Sequence, residues 1–215
     1  MTGEKAKFSG FPVAALDFYE DLEADNSKQF WNEHKATYET CVRAPMIAML
    51  AELEAEFGTA KVFRPYRDVR FAKDKSPYKT HQGAYVAASL SVGWYVQIDA
   101  SGLFVAGGFY GGTPAQIAAL RATIDHDERG PALGRAVQKM ANSGYEIGGE
   151  KLKTRPRGIA EDHPRLGLMR HKSLTASRAY VSPDWLESHH AVERVRADWR
   201  AMRPFIERLS AATAH

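Results

Sequence analysis

The sequence predicts an α+β fold, a mostly antiparallel central sheet with N- and C-terminal helices packed on it. Three observations predict it. Apolar residues recur every three to four positions through the first 57 residues and again after Ser182-Pro183. Between these regions WYVQID and LFVAGGFY are short aromatic and β-branched runs joined by the turn Asp99-Ala100-Ser101-Gly102. The segment after them, Thr113-Pro114-Ala115-Gln116, combines an N-cap, a first-turn proline and a capping-box glutamine.

Taken in order, Pro12 suits the first turn of a helix that gathers Leu16, Phe18, Tyr19 and Leu22 on one side. Asp25-Asn26 interrupts it. Asn26 and Gln29 have capping-box spacing and open a second helix through Phe30, Trp31, Tyr38 and Val42. Pro45 restarts the pattern, and Met46, Met49, Leu50, Leu53 and Phe57 extend it to Gly58. KVFRPYRDVRF and GAYVAASL read as two further strands, and short turns between strands imply antiparallel pairing. Pro131 to Asn142 reads as a helix, and Leu166–Leu174 as a strand. In the last helix Val192, Val195, Trp199, Met202, Ile206 and Leu209 keep helical spacing, and Pro204 is expected to bend or end it.

The 215 residues suffice for one domain with a sizeable core, and one domain is the expectation for residues 1–215. Apolar residues make up 44% and charged residues 26%, a globular composition. Cys41 is the single cysteine, so there is no internal disulfide, which fits a reducing compartment. No run of about 18 apolar residues is present, and MTGEKAKFSGFP lacks a signal-peptide core. The expectation is a cytoplasmic protein without a membrane partner.

The net charge is +3, too small to imply nucleic acid by itself, but its distribution is uneven. Residues 1–57 carry eleven acidic and five basic side chains, whereas residues 64–81 carry six basic and two acidic. Residues 150–172 carry seven basic and three acidic. The first basic segment, RPYRDVRFAKDKSPYKTH, decides the functional reading. As a helix it would bring Arg64 and Arg70 within about 9 Å; as a strand it would separate them by about 20 Å, too far to grip one phosphate. Pro65 and the alternation of Val69 and Phe71 with Asp68 and Arg70 favour the strand, with Arg64, Tyr66, Asp68 and Arg70 on one face.

Arginine offers a planar fork of donors and lysine a point charge, a pairing suited to phosphate or carboxylate. Arg64, Arg67, Arg70, Lys75 and Lys79, with Tyr78 beside them, are therefore the candidate contacts to an anionic small molecule. Asp68 and His81 are the candidate proton-transfer pair, since histidine titrates near neutrality. Two other readings use the same residues: a nucleic-acid or adaptor surface, and a structural ion-pair network without a ligand. No cofactor or metal is expected, and the sequence does not decide whether a reaction follows binding.

The same stretch carries R-x-x-R-D-x-R-F-x-x-x-K-x-x-Y at Arg64, Arg67, Asp68, Arg70, Phe71, Lys75 and Tyr78. It resembles an uncharacterised bacterial domain-of-unknown-function family of about this length. The likeness extends to DNSKQFWNEHK, GGFY and DHPRLGLMRHK, most of the chain. It implies no activity, substrate or cofactor, and supports only the choice of site.

Other segments carry less. GGFYGGTPAQ matches neither GxGxxG nor GxxxxGK[ST] and reads as a strand-to-helix turn. His189 and His190 point about 100° apart on a helix and make a poor chelate. DHPRLGLMRHK is an accessory candidate through Asp162, His163, Arg165, Arg170, His171 and Lys172, weighed against a basic loop with capping roles. Trp31 and His34, three apart on a helix, read as packing residues, weighed against a place at the border of a ligand pocket.

Overall fold

The computed structural model describes residues 7–68, 70 and 74–214. Helices α1 (Ala14–Ala24), α2 (Lys28–Thr37), a π-helical segment (Tyr38–Arg43) and α3 (Ala44–Phe57) come first. Strands β1 (Ala60–Val62), β2 (His81–Ser89), β3 (Val92–Asp99) and β4 (Gly102–Phe109) follow. Then come α4 (Pro114–Asp125), α5 (Arg129–Asn142), β5 (Glu146–Gly148), α6 (Leu166–Met169), β6 (Leu174–Val181) and α7 (His190–Thr213). The strands form a six-stranded antiparallel sheet in the order β1-β2-β3-β4-β6-β5, and the fold is α+β.

The chain divides into two compact units. The first holds residues up to Val86 with Tyr95–Val105 and Ala179–Ala197; the second holds Ala87–Trp94, Ala106–Arg178 and Asp198 onward. In the first unit the sheet has two unlike faces. Gln82, Ala84, Val86, Val96, Ile98, Leu103 and Val105 are buried, while His81, Tyr85, Tyr95, Gln97, Asp99 and Phe104 are half-buried. That alternation is the period of a strand with one face on the core. Phe18, Tyr19, Leu22, Trp31, Tyr38 and Val42 supply the helical part of this core. In the second unit Trp94 donates from Nε1 to the carbonyl of Trp199 (3.2 Å).

Four local expectations are corrected. The second helix is capped by Ser27, whose Oγ accepts from Phe30 N at 3.1 Å, because the Asn26 side chain is engaged by Tyr78. The KVFRPYRDVRF strand stops at Val62. Beyond it a single antiparallel bridge joins Tyr66 to Tyr78. The bridge is flanked by Arg67 N to Pro77 O (2.9 Å) and Lys79 N to Pro65 O (2.8 Å). Pro65 and Pro77 have no N–H to return, so each flanking pair makes one bond where a ladder makes two. Leu166–Met169 is helical, and the strand expected there begins only at Leu174. Finally, α7 runs through Pro204 to Thr213. Phe205, Ile206, Leu209 and Ala212 are buried beyond the proline, and burial of that many apolar side chains outweighs the roughly 3 kcal/mol a mid-helix proline costs.

The cap expected at Thr113 is present. Its Oγ accepts from Gln116 N (3.3 Å), and Gln116 Oε1 accepts from Thr113 N (3.0 Å). Gln116 Nε2 also donates to Leu90 O (3.0 Å), so the polar groups at this turn are consumed by architecture. Thr113→Ala is expected to lower the unfolding free energy by about 1 kcal/mol without altering the response to any anion. A loss of anion response at unchanged stability, measured by urea unfolding and thermal shift, would move this turn into a binding role.

Candidate functional site

The basic segment folds as an irregular hairpin between β1 and β2. Tyr66 and Tyr78 occupy a pair position without mutual backbone bonds, where side chains approach most closely, and their rings lie 5.5 Å apart. Asn26 clamps this hairpin from the start of α2. Its Oδ1 accepts from Tyr78 N and its Nδ2 donates to Tyr78 O, each at 3.1 Å. Trp31 stacks flat on Tyr78, with centroids 4.3 Å apart and planes 8° apart. Tyr38 donates to Gln82 Oε1 (2.6 Å), and Gln82 Nε2 donates to Phe63 O (2.9 Å).

The expected residues separate into two groups. Toward the tip, the Arg70 guanidinium forks onto Asp68, with Nε to Oδ1 at 2.9 Å and Nη2 to Oδ2 at 2.5 Å. Arg67 pairs with Asp74, whose carboxylate also accepts from Ser76 N (2.9 Å) and Ser76 Oγ (2.6 Å). Bonds from Arg70 hold Asp68 below the usual carboxylate range, which makes it a weaker base. Lys75 lies on the same exposed stretch. Val69, Phe71 and Lys73, and with them the expected alternation of this stretch, lie outside the described residues.

Toward the sheet, Lys79 donates from Nζ to Arg64 O (3.1 Å), and Nζ lies 5.4 Å from the Phe63 ring centre. Burial, then Arg64 and Arg67, hold Lys79 below the usual lysine range. His81 is lowered by burial and then by Lys79; Asp99 opposes this and Arg67 adds to it. The positive charges of Arg64, Arg67, Lys79 and His81 thus act on one another at the edge of the half-buried sheet face. Asp68 makes no hydrogen bond to His81 among the described residues. The carboxylate whose charge acts on His81 is that of Asp99.

Asp99 ends a polar ladder along β3 that sequence reading missed. Tyr95 Oη donates to Gln97 Oε1, and Gln97 Nε2 donates to Asp99 Oδ2, both at 2.7 Å. Asp99 Oδ1 accepts from Ser101 N (2.8 Å). Burial and then Asp99 push Tyr95 up to about 12. Gly83 makes room for this ladder, since a Cβ there would lie 2.4 Å from Tyr95 Oη. The signal was in the sequence: Tyr, Gln and Asp alternate with Val and Ile in WYVQID, a polar row on one strand face.

The second basic segment belongs to the second unit and spends its donors on main chain. Arg165 donates to Ile124 O (2.6 Å) and Asp125 O (3.0 Å), and Arg170 to Leu152 O (2.9 Å) and Lys153 O (2.7 Å). His163 Nδ1 accepts from Arg165 N (3.0 Å), which leaves Nε2–H to donate to Asp125 (3.1 Å). Both ring nitrogens are occupied. Lys172 pairs with Glu150, and buried His171 meets Ser173 O through Nδ1 (2.7 Å). His189 meets Glu52 (2.9 Å). No cluster of three metal-ligating side chains occurs among the described residues, and no helix there is long and apolar enough to cross a membrane.

Both depressed histidines give stability the same dependence on pH. The folded chain favours neutral His81 and His171, so below their ordinary value of 6.5 the unfolded chain binds more protons. Stability is therefore expected to fall as pH drops from about 7.5 to about 5.5, above the range where carboxylates titrate. Urea midpoints that stay constant across this window would contradict it.

With this geometry in place, comparison supplies a family. Residues 14–207 match the conserved hypothetical protein family DUF2461. The chain belongs to that family. No curated protein and no solved structure matches it. The match takes in the hairpin, the β3 ladder and most of α7, so the family's span contains every element of the candidate site.

Proposed function

We propose that this DUF2461 protein binds an anionic small molecule, phosphorylated or carboxylated, at the basic hairpin of residues 64–81. One observation carries the reading: Arg64, Arg67 and Lys79 share the hairpin that leads into His81, Lys79 Nζ reaches Arg64 O, and Lys79 and His81 are depressed first by burial and then by these cationic neighbours. Like charges held together raise the energy of the empty protein, and a bound anion relieves that repulsion. Arg70 and Lys75 lie on the same hairpin as outer contacts, and Tyr78, buried beneath Trp31, supports it from within. His81, between Lys79 and Asp99, is the proton carrier of the site if chemistry follows; Asp68, held by Arg70, is the weaker candidate.

Thermal shift with phosphates, nucleotides and carboxylates tests the reading. An anion present at a hundred times its dissociation constant is expected to add about 2.7 kcal/mol of stability. It should also raise the pKa of His81, followed by proton NMR. Lys79→Ala is expected to abolish both responses, and Arg70→Ala and Lys75→Ala to weaken them. If no anion in the screen moves either the melting point or His81, the proposal fails.

A second reading, a nucleic-acid surface, is favoured by one feature, the half-buried aromatic rings of Phe63, Tyr95 and Phe104 on the sheet face beside these cations. It requires affinity for single strands that falls steeply with salt. Gel retardation at about 50 mM salt distinguishes the two.

A further inference from the structure

The Trp31 indole is the starting point. Trp31 is 3% exposed, and its Nε1–H is buried without a hydrogen-bond acceptor among the described residues. Such orphan donors are rare in folded proteins and each calls for an explanation. Around it stand Tyr78, stacked at 4.3 Å, Tyr38 at 4.8 Å and Tyr66 at 6.1 Å. The Tyr38 hydroxyl is taken by Gln82. Those of Tyr66 and Tyr78 make no hydrogen bond among the described residues. Tyr66, 48% exposed, is the ring of this group with least burial to lose on moving.

We propose that Trp31 of α2 and Tyr66 of the hairpin form a second subsite beside the first, which receives a planar ring bearing an uncharged hydrogen-bond acceptor. The inference rests on the anion reading and extends it: the ligand is an anion carried on such a ring, a nucleoside monophosphate being one member. The surroundings decide the split. Phe18, Tyr38, Tyr66 and Tyr78 make the space around Nε1 apolar and aromatic. A charged group entering there would lose its hydration without a countercharge, whereas a flat ring loses little and stacks. The charge stays outside, by Arg64 and Lys79, and the acceptor goes in. Displacement of Tyr66, the most exposed ring of the group, opens the way.

Adenosine 5′-monophosphate, adenosine and inorganic phosphate are the probes, titrated into the full chain and followed by ¹⁵N NMR of the indole N–H groups. Trp31→Phe assigns the Trp31 peak and keeps the stack on Tyr78. The monophosphate is expected to move that peak downfield and to bind about tenfold or more tighter than inorganic phosphate. Trp31→Phe is expected to weaken the monophosphate about three- to tenfold and leave phosphate unchanged. Removal of the orphan donor offsets only part of the buried volume lost, so that variant should still fold cooperatively with a somewhat lower urea midpoint. If phosphate binds and raises His81 while the Trp31 peak stays fixed and the monophosphate gains nothing, the ring subsite is wrong and the anion site stands. If Trp31→Phe lowers stability without changing either affinity, Nε1–H has a purely structural partner and the inference is overturned. If no probe binds at all, both readings fall together.

Discussion

Asp198→Ala is expected to destabilise the protein by about 3–5 kcal/mol, the cost of leaving buried partners of a removed charge unpaired. Asp198 begins the second unit's part of α7. Its side chain is 4% exposed, and Oδ1 accepts from Tyr145 Oη at 2.6 Å and from Arg178 Nη1 at 3.1 Å. The Arg178 guanidinium also lies 4.0 Å from the Tyr145 ring centre, and it donates to Ser143 O. Removing the carboxylate therefore takes the shared acceptor from a buried phenol and from a guanidinium only 26% exposed, at the junction of α5, β5 and β6. Asp198→Asn retains an acceptor of the same shape and should lose less, about 1–3 kcal/mol. Urea unfolding followed by circular dichroism measures both. A loss under about 1 kcal/mol for the alanine variant would mean that Tyr145 and Arg178 find other partners.

Gly102→Ala is expected to cost about 3–5 kcal/mol, through two effects that act together. Gly102 has φ +130°, which side-chain-bearing residues rarely adopt, and a Cβ there would stand 2.3 Å from Tyr180 O and 2.8 Å from Ser182 N. Both obstacles are backbone, so neither moves aside cheaply. Gly111→Ala is the control: φ is +68°, and nothing lies within 4 Å of the added carbon. It carries the conformational penalty alone, about 1 kcal/mol. Equal losses in the two variants would show that the contact with Tyr180 contributes nothing. Because Gly102 closes the turn after Asp99, the same variant should also disturb the His81 titration, through loss of the Asp99–Ser101 geometry.

The sequence alone determined the elements whose signals are short. The Thr113 capping box, the β3–β4 turn at Ala100-Ser101 and the α7 stripe from Val192 to Leu209 each follow from residues a few positions apart. Backbone and side-chain preferences over such distances act before any tertiary contact forms. The choice of residues 64–81 as the candidate site rested likewise on local charge density.

Only the tertiary structure decided which charges meet. Asn26 was read as a helix cap, yet it clamps Tyr78 from 52 residues away, and Tyr38 reaches Gln82 across 44. Nearness in the chain pairs Asp68 with His81, whereas the fold gives Asp68 to Arg70, and the carboxylate that acts on His81 is that of Asp99. The strand expected through Arg70 gives way to a single bridge flanked by Pro65 and Pro77, whose missing donors matter only once Pro65 lies opposite Lys79 and Pro77 opposite Arg67. Composition and periodicity report which face a residue prefers. They do not report its partner, because that depends on which distant segment the closed chain brings opposite, and a hydrogen bond or ion pair exists only at contact distance.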